Sequence, residues 1–380
     1  MRVTFLNKYW YPHLGGVEYI LRDIAEGVAA RSGTTIRAIV ANEGRETVRE
    51  TVGGVDLLRV GRAFAYASTP VAFGIASAIR AEARRPDPPD LFNLHFPYPW
   101  GETVFMAVDP GTPMVVTYHS DIVRQKALGT LYGPLMRRLM RRADLIIAAS
   151  PNMVEHSEVL LPVASKCRVV PYGLDPSLYD GTPEVLARAA EFKAGHSRPI
   201  VLFVGRLIYY KGADVLVSAM ADVDADLVMI GKGPLEQSLR EAAAAAGIAD
   251  RVTFLQPVSD ADLVAWYHAA DVFCLPSVAR SEAFGLVQME AHASGTPVVS
   301  TSLTTGVPFV NEDGVSGIVV PPGDAAALAR ALQTLAGDEA LRRRMGEAAR
   351  DRVKRDFTIE RMVDQTLEVF AEAVSMRKPR

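Results

Sequence analysis

Two glutamates, Glu282 and Glu290, have the spacing in this chain that is most suggestive of chemistry. The first stands just before an expected helix start, and the second lies about a turn and a half inside that helix. Free backbone N–H groups at a helix start attract an anion. Because carboxylates repel phosphate, the two acids would face neutral hydroxyls of a sugar and a ribose, with a diphosphate held between them. The segment between the two acids that would bind it comprises Ala283, Phe284, Gly285 and Leu286.

The two acids alone do not establish such a site. Asp and Glu are favoured in the first turn of any helix because of the helix dipole. Glu282 and Glu290 therefore also fit an ordinary helix start and helix surface. A second motif is needed to decide between these interpretations.

The second motif is a buried strand followed by two cations. Residues 201–204 are apolar, Gly205 and Arg206 follow, and Lys211 and Gly212 end the turn before a predicted helix. Ligands of open parallel α/β sheets bind at the carboxyl ends of the strands. There, Arg206 offers a guanidinium fork and Lys211 a point charge to a diphosphate. For each cation taken singly, a surface salt bridge is the alternative role.

Five segments, in this order, resemble the retaining nucleotide-sugar glycosyltransferases of family 4, over nearly the whole chain. They are Gly15-Gly16 after the first strand, Pro171-Tyr172-Gly173-Leu174-Asp175, Val201 to Gly212, Gly231-Lys232-Gly233-Pro234, and Glu282-x7-Glu290. No segment is decisive by itself, but their joint order and spacing are specific. One departure is Tyr172, which replaces the asparagine of the family's Pro-Asn-Gly turn. We expect this change to alter the hinge region and not the donor site.

The resemblance implies an α/β chain with the GT-B fold, in which two facing Rossmann-like domains with parallel sheets flank an interdomain cleft. Short apolar runs alternate with longer amphipathic segments in both halves, as in a parallel sheet with crossover helices. We expect an acceptor domain over residues 1–180, a linker over 181–199 and a donor domain over 200–357. The resemblance also implies that residues 358–380 form a helix that crosses back to the first domain.

The apolar runs and amphipathic segments predict individual elements. The predicted strands span residues 3–6, 35–40, 91–94, 114–118, 145–149, 168–170, 200–204, 227–230, 252–255, 272–275, 298–300 and 317–320. The predicted helices include residues 17–31, 70–83, 129–142 and 358–374.

The chemistry expected at this site is a transfer without a protein nucleophile. Positive charge from Arg206, Lys211 and the N–H groups near Gly285 would stabilise the departing diphosphate. Glu282 would hold hydroxyls of the hexose and Glu290 the ribose. The resemblance implies that the diphosphate takes the acceptor's proton on the same face of the sugar, which gives retention. A glycosidase mechanism fits poorly because its two carboxylates must flank one bond.

His119 is the candidate from the first half for contact with the transferred sugar. It follows the apolar strand over residues 114–118, at the edge where ligands bind. A lone histidine is usually structural, but family members use a histidine near the sugar's primary hydroxyl, which implies that role here. His95, with Tyr98 and Trp100, is a weaker candidate for an acceptor groove, since aromatic clusters more often serve packing.

Gly15 and Gly16 precede a predicted helix, and a glycine pair lets the backbone approach a ligand closely. The resemblance implies that this loop closes over the phosphates or the acceptor. The nucleobase is expected near Gly231 and Lys232 and near Pro257 and Val258, which do not distinguish guanine from uracil.

The donor is expected to be GDP-mannose, because similar family members often build bacterial surface polysaccharides and several use this donor. A transferase that uses UDP-glucose or UDP-GlcNAc is the alternative. Two other classes remain open, a nucleotide-sugar epimerase and a non-catalytic sugar-nucleotide sensor. The sensor would have no need of Glu282, whose presence favours the enzyme.

Composition restricts the remaining possibilities. The chain of 380 residues is long enough for two cores, and its net charge of -3 gives no indication of a nucleic-acid partner. The two cysteines, Cys167 and Cys274, lie in or near apolar strands, which indicates reduced thiols and a cytoplasmic protein. We expect no cofactor and no metal site, because no group of ligands has metal-binding spacing. No signal peptide and no membrane span are expected.

The acceptor is expected to be a glycan or a polyprenyl-linked glycan at the membrane. Residues 135–142 combine apolar side chains with four arginines, a composition suited to an anionic surface on the inner face of the cell membrane. The arginines are Arg137, Arg138, Arg141 and Arg142. A solvated helix face whose arginines pair with nearby acids explains the same pattern equally well.

Overall fold

The computed structural model describes residues 1–12, 16–66, 69–121 and 126–377. The chain divides into two compact units. Residues 1–173 with 359–380 form the first unit, and residues 174–358 form the second.

The first unit has a sheet in the order β10-β9-β8-β7-β1-β2-β4-β3, in which only the pair β3 and β4 is antiparallel. Its strands are β1 (Arg2–Asn7), β2 (Thr35–Ala41), β3 (Val48–Val52), β4 (Val55–Val60), β7 (Leu91–Phe96), β8 (Met114–Tyr118), β9 (Leu145–Ala148) and β10 (Cys167–Val169). A separate hairpin joins β5 (Phe64–Tyr66) and β6 (Thr69–Val71). The helices are α1 (Gly16–Ala29), α2 (Ile75–Ala83), α3 (Pro99–Val108), α4 (Lys126–Arg142), α5 (Pro151–His156) and the last helix of the chain, α14 (Ile359–Met376).

The central strands of this sheet consist of apolar residues because helices cover them. Every residue of β7 and β8 is buried, as expected for parallel strands between helices. The pair β3–β4 was not predicted, although Gly53 and Gly54 stand between its strands with φ of 56° and 80°. Two positive φ angles are what a tight hairpin turn requires.

The last helix, α14, completes the core of the first unit. It packs against α1, and the ring of Phe370 lies 6.1 Å from the ring of Phe5 in β1. On its other side, Arg168 in β10 forms an ion pair with Glu372 at 2.5 Å. Residues 359–377 therefore belong structurally to the unit that holds the first strands.

The second unit has an all-parallel sheet in the order β13-β12-β11-β14-β15-β16. Its strands are β11 (Ile200–Val204), β12 (Asp226–Ile230), β13 (Val252–Leu255), β14 (Val272–Leu275), β15 (Val298–Thr301) and β16 (Gly317–Val320). Its helices are α6 (Pro183–Ala194), α7 (Ala213–Ala219), α8 (Glu236–Ala245), α9 (Asp260–Ala269), α10 (Leu286–Ala293), α11 (Val307–Val310), α12 (Ala325–Gly337) and α13 (Glu339–Asp356).

The expected linker over residues 181–199 is wrong, because most of it is helix α6. Thr182 caps this helix by accepting from the backbone N–H of Val185, and Pro183 occupies its first position. The ring of Phe192 stacks on Trp266 in α9 with ring centres 4.3 Å apart. The second unit therefore starts at Leu174 and includes this segment.

Candidate functional site

Lys211 and Glu282 form a buried ion pair in the second unit. The Nζ of Lys211 lies 2.6 Å from Oε2 of Glu282, and both residues are 8% exposed. The same Oε2 accepts a hydrogen bond of 3.1 Å from Oγ of Ser277. No described residue donates to Oε1 of Glu282, so this oxygen is available for a ligand hydroxyl.

The ends of two adjacent strands bring this pair together. Lys211 ends a short 3₁₀ turn after β11, and Glu282 follows the neighbouring strand β14. Gly212, at φ 66°, lies so close that a Cβ there would stand 2.0 Å from the carbonyl oxygen of Pro276. The N–H of Val278 donates to the carbonyl of Tyr210 at 2.8 Å. A glycine is therefore required for the two loops to meet.

A third strand end lies beside them. Gly231 follows β12 with φ of 146°, and a Cβ on it would come within 2.0 Å of the carbonyl oxygen of Gly205. The N–H of Leu207 donates to the carbonyl of the exposed Lys232 at 3.0 Å. The sequence predicted these residues near a nucleobase, together with Pro257, which is exposed, and Val258, which is partly buried. All of them follow strands β11, β12 and β13 at one edge of the sheet.

Arg206 is exposed at the same edge. Its guanidinium lies 3.4 Å from the hydroxyl of Tyr210, and no described residue forms an ion pair with it. Its charge is therefore uncompensated by a close acid, in contrast to that of Lys211. The two predicted cations therefore differ, because Lys211 forms an ion pair with Glu282 and Arg206 forms none with a described residue.

Glu290 lies within α10 and contacts another helix. Its Oε2 accepts a hydrogen bond of 2.7 Å from the hydroxyl of Tyr267 in α9. Burial raises the pKa of Glu290, which the bond from Tyr267 partly counteracts. Burial also raises the pKa of Tyr267, so its hydroxyl stays a donor. Tyr267 thus orients the carboxylate that was predicted to bind ribose.

The start of α10 has the geometry expected of an anion site. Gly285 caps the helix and Leu286 is its first residue. In the first turn the N–H of Gln288 donates to the carbonyl of Gly285 at 3.0 Å, whereas the N–H groups of Leu286 and Val287 have no acceptor within the helix. Phe284 is buried, whereas Ala283 is partly buried and its carbonyl accepts from the N–H of Gly306. The start of α10 therefore combines two backbone donors, those of Leu286 and Val287, with a fixed turn.

His119 in the first unit is the middle member of a hydrogen-bonded chain. Its Nε2 lies 2.8 Å from Nδ1 of His95, and its Nδ1 lies 2.6 Å from the hydroxyl of Tyr172. His119 is 3% exposed, and burial lowers its pKa to about 3. Burial likewise lowers the pKa of His95. Both rings are therefore neutral at physiological pH, and both nitrogens of His119 already have partners.

The other aromatic candidates of the first unit serve packing. The hydroxyl of Tyr98 donates to the carbonyl of Pro70, and the indole N–H of Trp100 donates to the carbonyl of Ala72. These bonds tie α3 to the segment before α2. Gly16 begins α1, whereas Gly15 lies outside the described residues.

The arginines of α4 divide into two groups. Arg137, Arg138 and Arg141 are exposed, and no described residue forms an ion pair with them. Arg142 instead lies 2.9 Å from Asp109 and 3.6 Å from Asp144. The pairing alternative thus applies to Arg142 only. Among the described helices, none has the length and apolarity needed to cross a membrane.

Comparison with known proteins decides the family. The model described as Glycosyltransferase Family 4 matches residues 14–178, and the model described as Glycosyl transferases group 1 matches residues 188–352. The O-antigen chain mannosyltransferase C of Escherichia coli is 33% identical over 371 residues, which cover 97% of this chain and 98% of that protein. This chain belongs to glycosyltransferase family 4. The predicted family is confirmed.

Further relatives of this family 4 glycosyltransferase agree. The D-rhamnosyltransferase WbpZ of Pseudomonas aeruginosa is 35% identical over 360 residues, or 94% of this chain and 92% of that one. Sucrose-phosphate synthase from Thermosynechococcus elongatus superposes with a TM-score of 0.82 at 23% identity, covering 99% of this chain and all of the other. The Anabaena protein HepE, in complex with UDP, gives 0.79 at 20% identity, covering 98% and 100%. The predicted GT-B fold is confirmed.

Sequence reasoning missed three residues of the glycosyltransferase that position predicted site residues. Ser277 holds Glu282, Tyr267 holds Glu290 and Tyr172 holds His119. The position of Ser277, two residues after the apolar strand β14, is a signal that could have identified it. Tyr267 carries no such signal, because its contact joins two helices. Tyr172 had been expected to affect the hinge region only.

Proposed function

We infer that the protein is a retaining hexosyltransferase that moves mannose from GDP-mannose to a glycan or polyprenyl-linked acceptor in the synthesis of a cell-surface polysaccharide or glycolipid. The names of the relatives support this choice, since one is an O-antigen mannosyltransferase and another a D-rhamnosyltransferase. D-Rhamnose is the 6-deoxy form of D-mannose, so both relatives handle the same ring configuration.

The observation that carries the proposal is the ion pair of Lys211 with Glu282 at the sheet edge that also carries Arg206, a cation with no ion-pair partner among the described residues. A diphosphate bound at this edge of the sheet takes Lys211 and Arg206 as counter-charges and the start of α10 as a source of N–H donors. Glu282 then faces the sugar with Oε1. Glu290 and Tyr267 hold the ribose.

The charge that develops in the reaction falls on the leaving group. The bond between the anomeric carbon and the donor phosphate oxygen breaks, the acceptor oxygen bonds to the same carbon, and its proton passes to a phosphate oxygen. Preorganised cations lower this barrier because they are already oriented before charge develops. Two side-chain cations stand in for a metal ion, so the proposal is metal-independent. His119 is kept as a proposed contact of the transferred sugar, and Tyr172 and His95 fix its ring.

A thermal-shift screen with GDP-mannose, GDP, UDP-glucose, UDP-GlcNAc and ADP-glucose tests the donor. We expect GDP-mannose and GDP to raise the melting temperature, and the matched variant Arg206→Ala to lose the rise. The exposed Arg330 of α12 gives the control Arg330→Ala, which should behave as wild type. Stabilisation by the UDP compounds alone would replace GDP-mannose with the alternative donor. An epimeric nucleotide sugar formed without any acceptor would indicate the epimerase instead.

The stereochemistry and the metal requirement need a product assay. We expect an α-mannosyl product from α-linked GDP-mannose, read from the anomeric coupling in its NMR spectrum, and an unchanged rate in excess EDTA. A β-linked product would exclude retention. A rate abolished by EDTA and restored by a divalent cation would exclude metal independence.

Membrane association is proposed for the exposed arginines of α4, Arg137, Arg138 and Arg141. Each basic residue near an anionic surface contributes about 1 kcal/mol. We expect co-sedimentation with vesicles that contain anionic lipid and loss of it in Arg137→Glu with Arg141→Glu. Arg330→Glu with Arg344→Glu, both exposed in the second unit, is the matched control. Equal binding to neutral vesicles would contradict the proposal.

A further inference from the structure

The first unit contains a cavity of about 300 Å³ at the carboxyl edge of its sheet, away from His119. Its walls come from the segment after β1, the segment after β2 and the β3–β4 hairpin. The side chains that give it chemical character are Tyr9, Trp10, Asn42, Glu43, Glu50 and Arg59. This volume is at the lower end of ligand pockets, so it holds a small group and not a whole glycan.

Arg59 forms part of the cavity wall, and neighbouring residues accept hydrogen bonds from its guanidinium. Its Nε lies 2.5 Å from Oε1 of Glu50. Its two terminal nitrogens donate to the carbonyls of Tyr11, at 2.6 Å, and Trp10, at 3.5 Å. The guanidinium therefore joins the hairpin to the segment after β1, and these contacts occupy three of its five N–H donors.

The lining favours a neutral ligand with hydroxyl groups. Because Arg59 and Glu50 form an ion pair, their charges offset each other and give the wall little attraction for an anion. Oε2 of Glu50 has no donor among the described residues, so it can accept from a hydroxyl. Each amide atom of Asn42 makes one hydrogen bond, to Glu46 and from Glu43, and retains capacity for another.

Trp10 provides an independent indication of a ligand. The residue is 1% exposed and lines the cavity. Its indole N–H has no hydrogen-bond partner among the described residues. An unpaired buried donor costs about 1–3 kcal/mol, and a ligand hydroxyl would remove this cost.

The distance between the cavity and His119 indicates which sugar residue of the acceptor would lie in the cavity. Strands β8 and β2 are three places apart in the sheet, which is roughly 14 Å at the usual strand spacing. If His119 contacts the transferred sugar, as the proposed function holds, the cavity lies beyond the reacting hydroxyl. We propose that this cavity is a subsite for one neutral sugar residue of the acceptor glycan, removed from the residue that is extended.

Tryptophan fluorescence tests the subsite without turnover, because the chain has 3 tryptophans. The probes are methyl α-mannoside, an α-linked mannotetraose and the matching rhamnose tetrasaccharide, with inorganic phosphate as the anion control. We expect a saturable change with a tetrasaccharide that Trp10→Phe abolishes and Glu50→Gln weakens by roughly tenfold. Trp266→Phe, in the second unit, should retain the change.

Kinetics provide a second readout. In Glu50→Gln we expect the KM for the tetrasaccharide to rise about tenfold while the KM for methyl α-mannoside stays the same, because the short acceptor does not reach the cavity. The subsite is excluded if Trp10→Phe keeps the full change, if phosphate competes, or if no tetrasaccharide produces a change. Failure of every nucleotide sugar to stabilise the wild-type protein is a separate result, which refutes the proposed function.

Discussion

Lys211 and Glu282 form a buried ion pair, with 2.6 Å between Nζ of the lysine and Oε2 of the glutamate. If a diphosphate binds as proposed, we expect the ammonium of Lys211 to move towards it, while Oγ of Ser277 still donates to Oε2 of Glu282. The ion pair and the hydrogen bond from Ser277 thus hold the two side chains in place.

Removal of one member of this pair should cost stability as well as activity. Loss of one partner of a buried ion pair costs about 3–5 kcal/mol because the other charge stays buried. We expect Lys211→Met to lower the free energy of unfolding of the second unit by this amount, and Lys211→Met with Glu282→Gln to recover most of it. Urea denaturation measures both. The double variant should remain inactive, and recovery of transfer would refute the catalytic role.

Arg206→Ala should show the opposite pattern. Because Arg206 is exposed and has no ion-pair partner among the described residues, its removal should change the free energy of unfolding by less than about 0.5 kcal/mol. Loss of a preorganised cation at the leaving group should lower kcat by roughly 10²–10³-fold. Arg330→Ala is the control for both measurements. Parallel losses of stability and activity would indicate a structural role.

Tyr267→Phe tests how Glu290 is positioned. The variant loses one hydrogen bond to a carboxylate, so the KM for the donor should rise roughly five- to tenfold with little change in kcat. Inhibition by inorganic diphosphate, which has no ribose, should be unchanged. Weaker inhibition by diphosphate as well would show a general distortion of the second unit.

Tyr172→Phe tests the chain that ends on His119. Removal of the hydroxyl leaves Nδ1 of His119 buried without this partner, which should cost about 1–3 kcal/mol in the first unit. The ¹⁵N resonances of the His119 ring should shift, because its tautomer depends on that bond. Tyr172→Asn, which restores the family residue, provides the comparison. Unchanged ¹⁵N resonances in both variants would contradict the hydrogen bond between Tyr172 and His119.

Glu102 provides a pH-dependent prediction. Its carboxylate accepts from the backbone N–H of Tyr98, and burial raises its pKa to about 8 from an ordinary 4.5. The folded state therefore retains a proton that the unfolded state releases, and stability falls as pH rises between these values, by at most about 1.4 kcal/mol for each pH unit. Glu102→Gln mimics the protonated form. The melting temperature of Glu102→Gln, relative to that of the wild type, should rise between about pH 6 and about pH 8. A difference between the two melting temperatures that does not change with pH would refute this prediction.

Local patterns predicted most strands, though not β3, β4, β5 and β6, and they were insufficient for contacts between distant segments. The apolar runs over residues 114–118, 200–204 and 252–255 match β8, β11 and β13. The predicted helix over 70–83 starts later, at Ile75, because Thr69–Val71 pairs with Phe64–Tyr66. The linker was wrong because Phe192 stacks on Trp266, a contact that no local pattern encodes.

In the candidate site, too, the positions of residues along the chain were predictable and their contacts were not. Sequence order placed Arg206, Lys211 and Glu282 after strands, and parallel strands bring such residues to one edge. It did not reveal that Lys211 and Glu282 are paired, since this depends on the close approach of Gly212 to Pro276. Their catalytic roles remain predictions.

The return of α14 to the first unit affects the order in which the protein can be made. Phe5 is synthesised before the second unit, yet its neighbour Phe370 emerges only after the entire second unit has been synthesised. During translation the second unit has all its strands before the first has its last helix. The sheet of the first unit must therefore wait, with the surface that α14 covers still exposed, until the residues of α14 have left the ribosome.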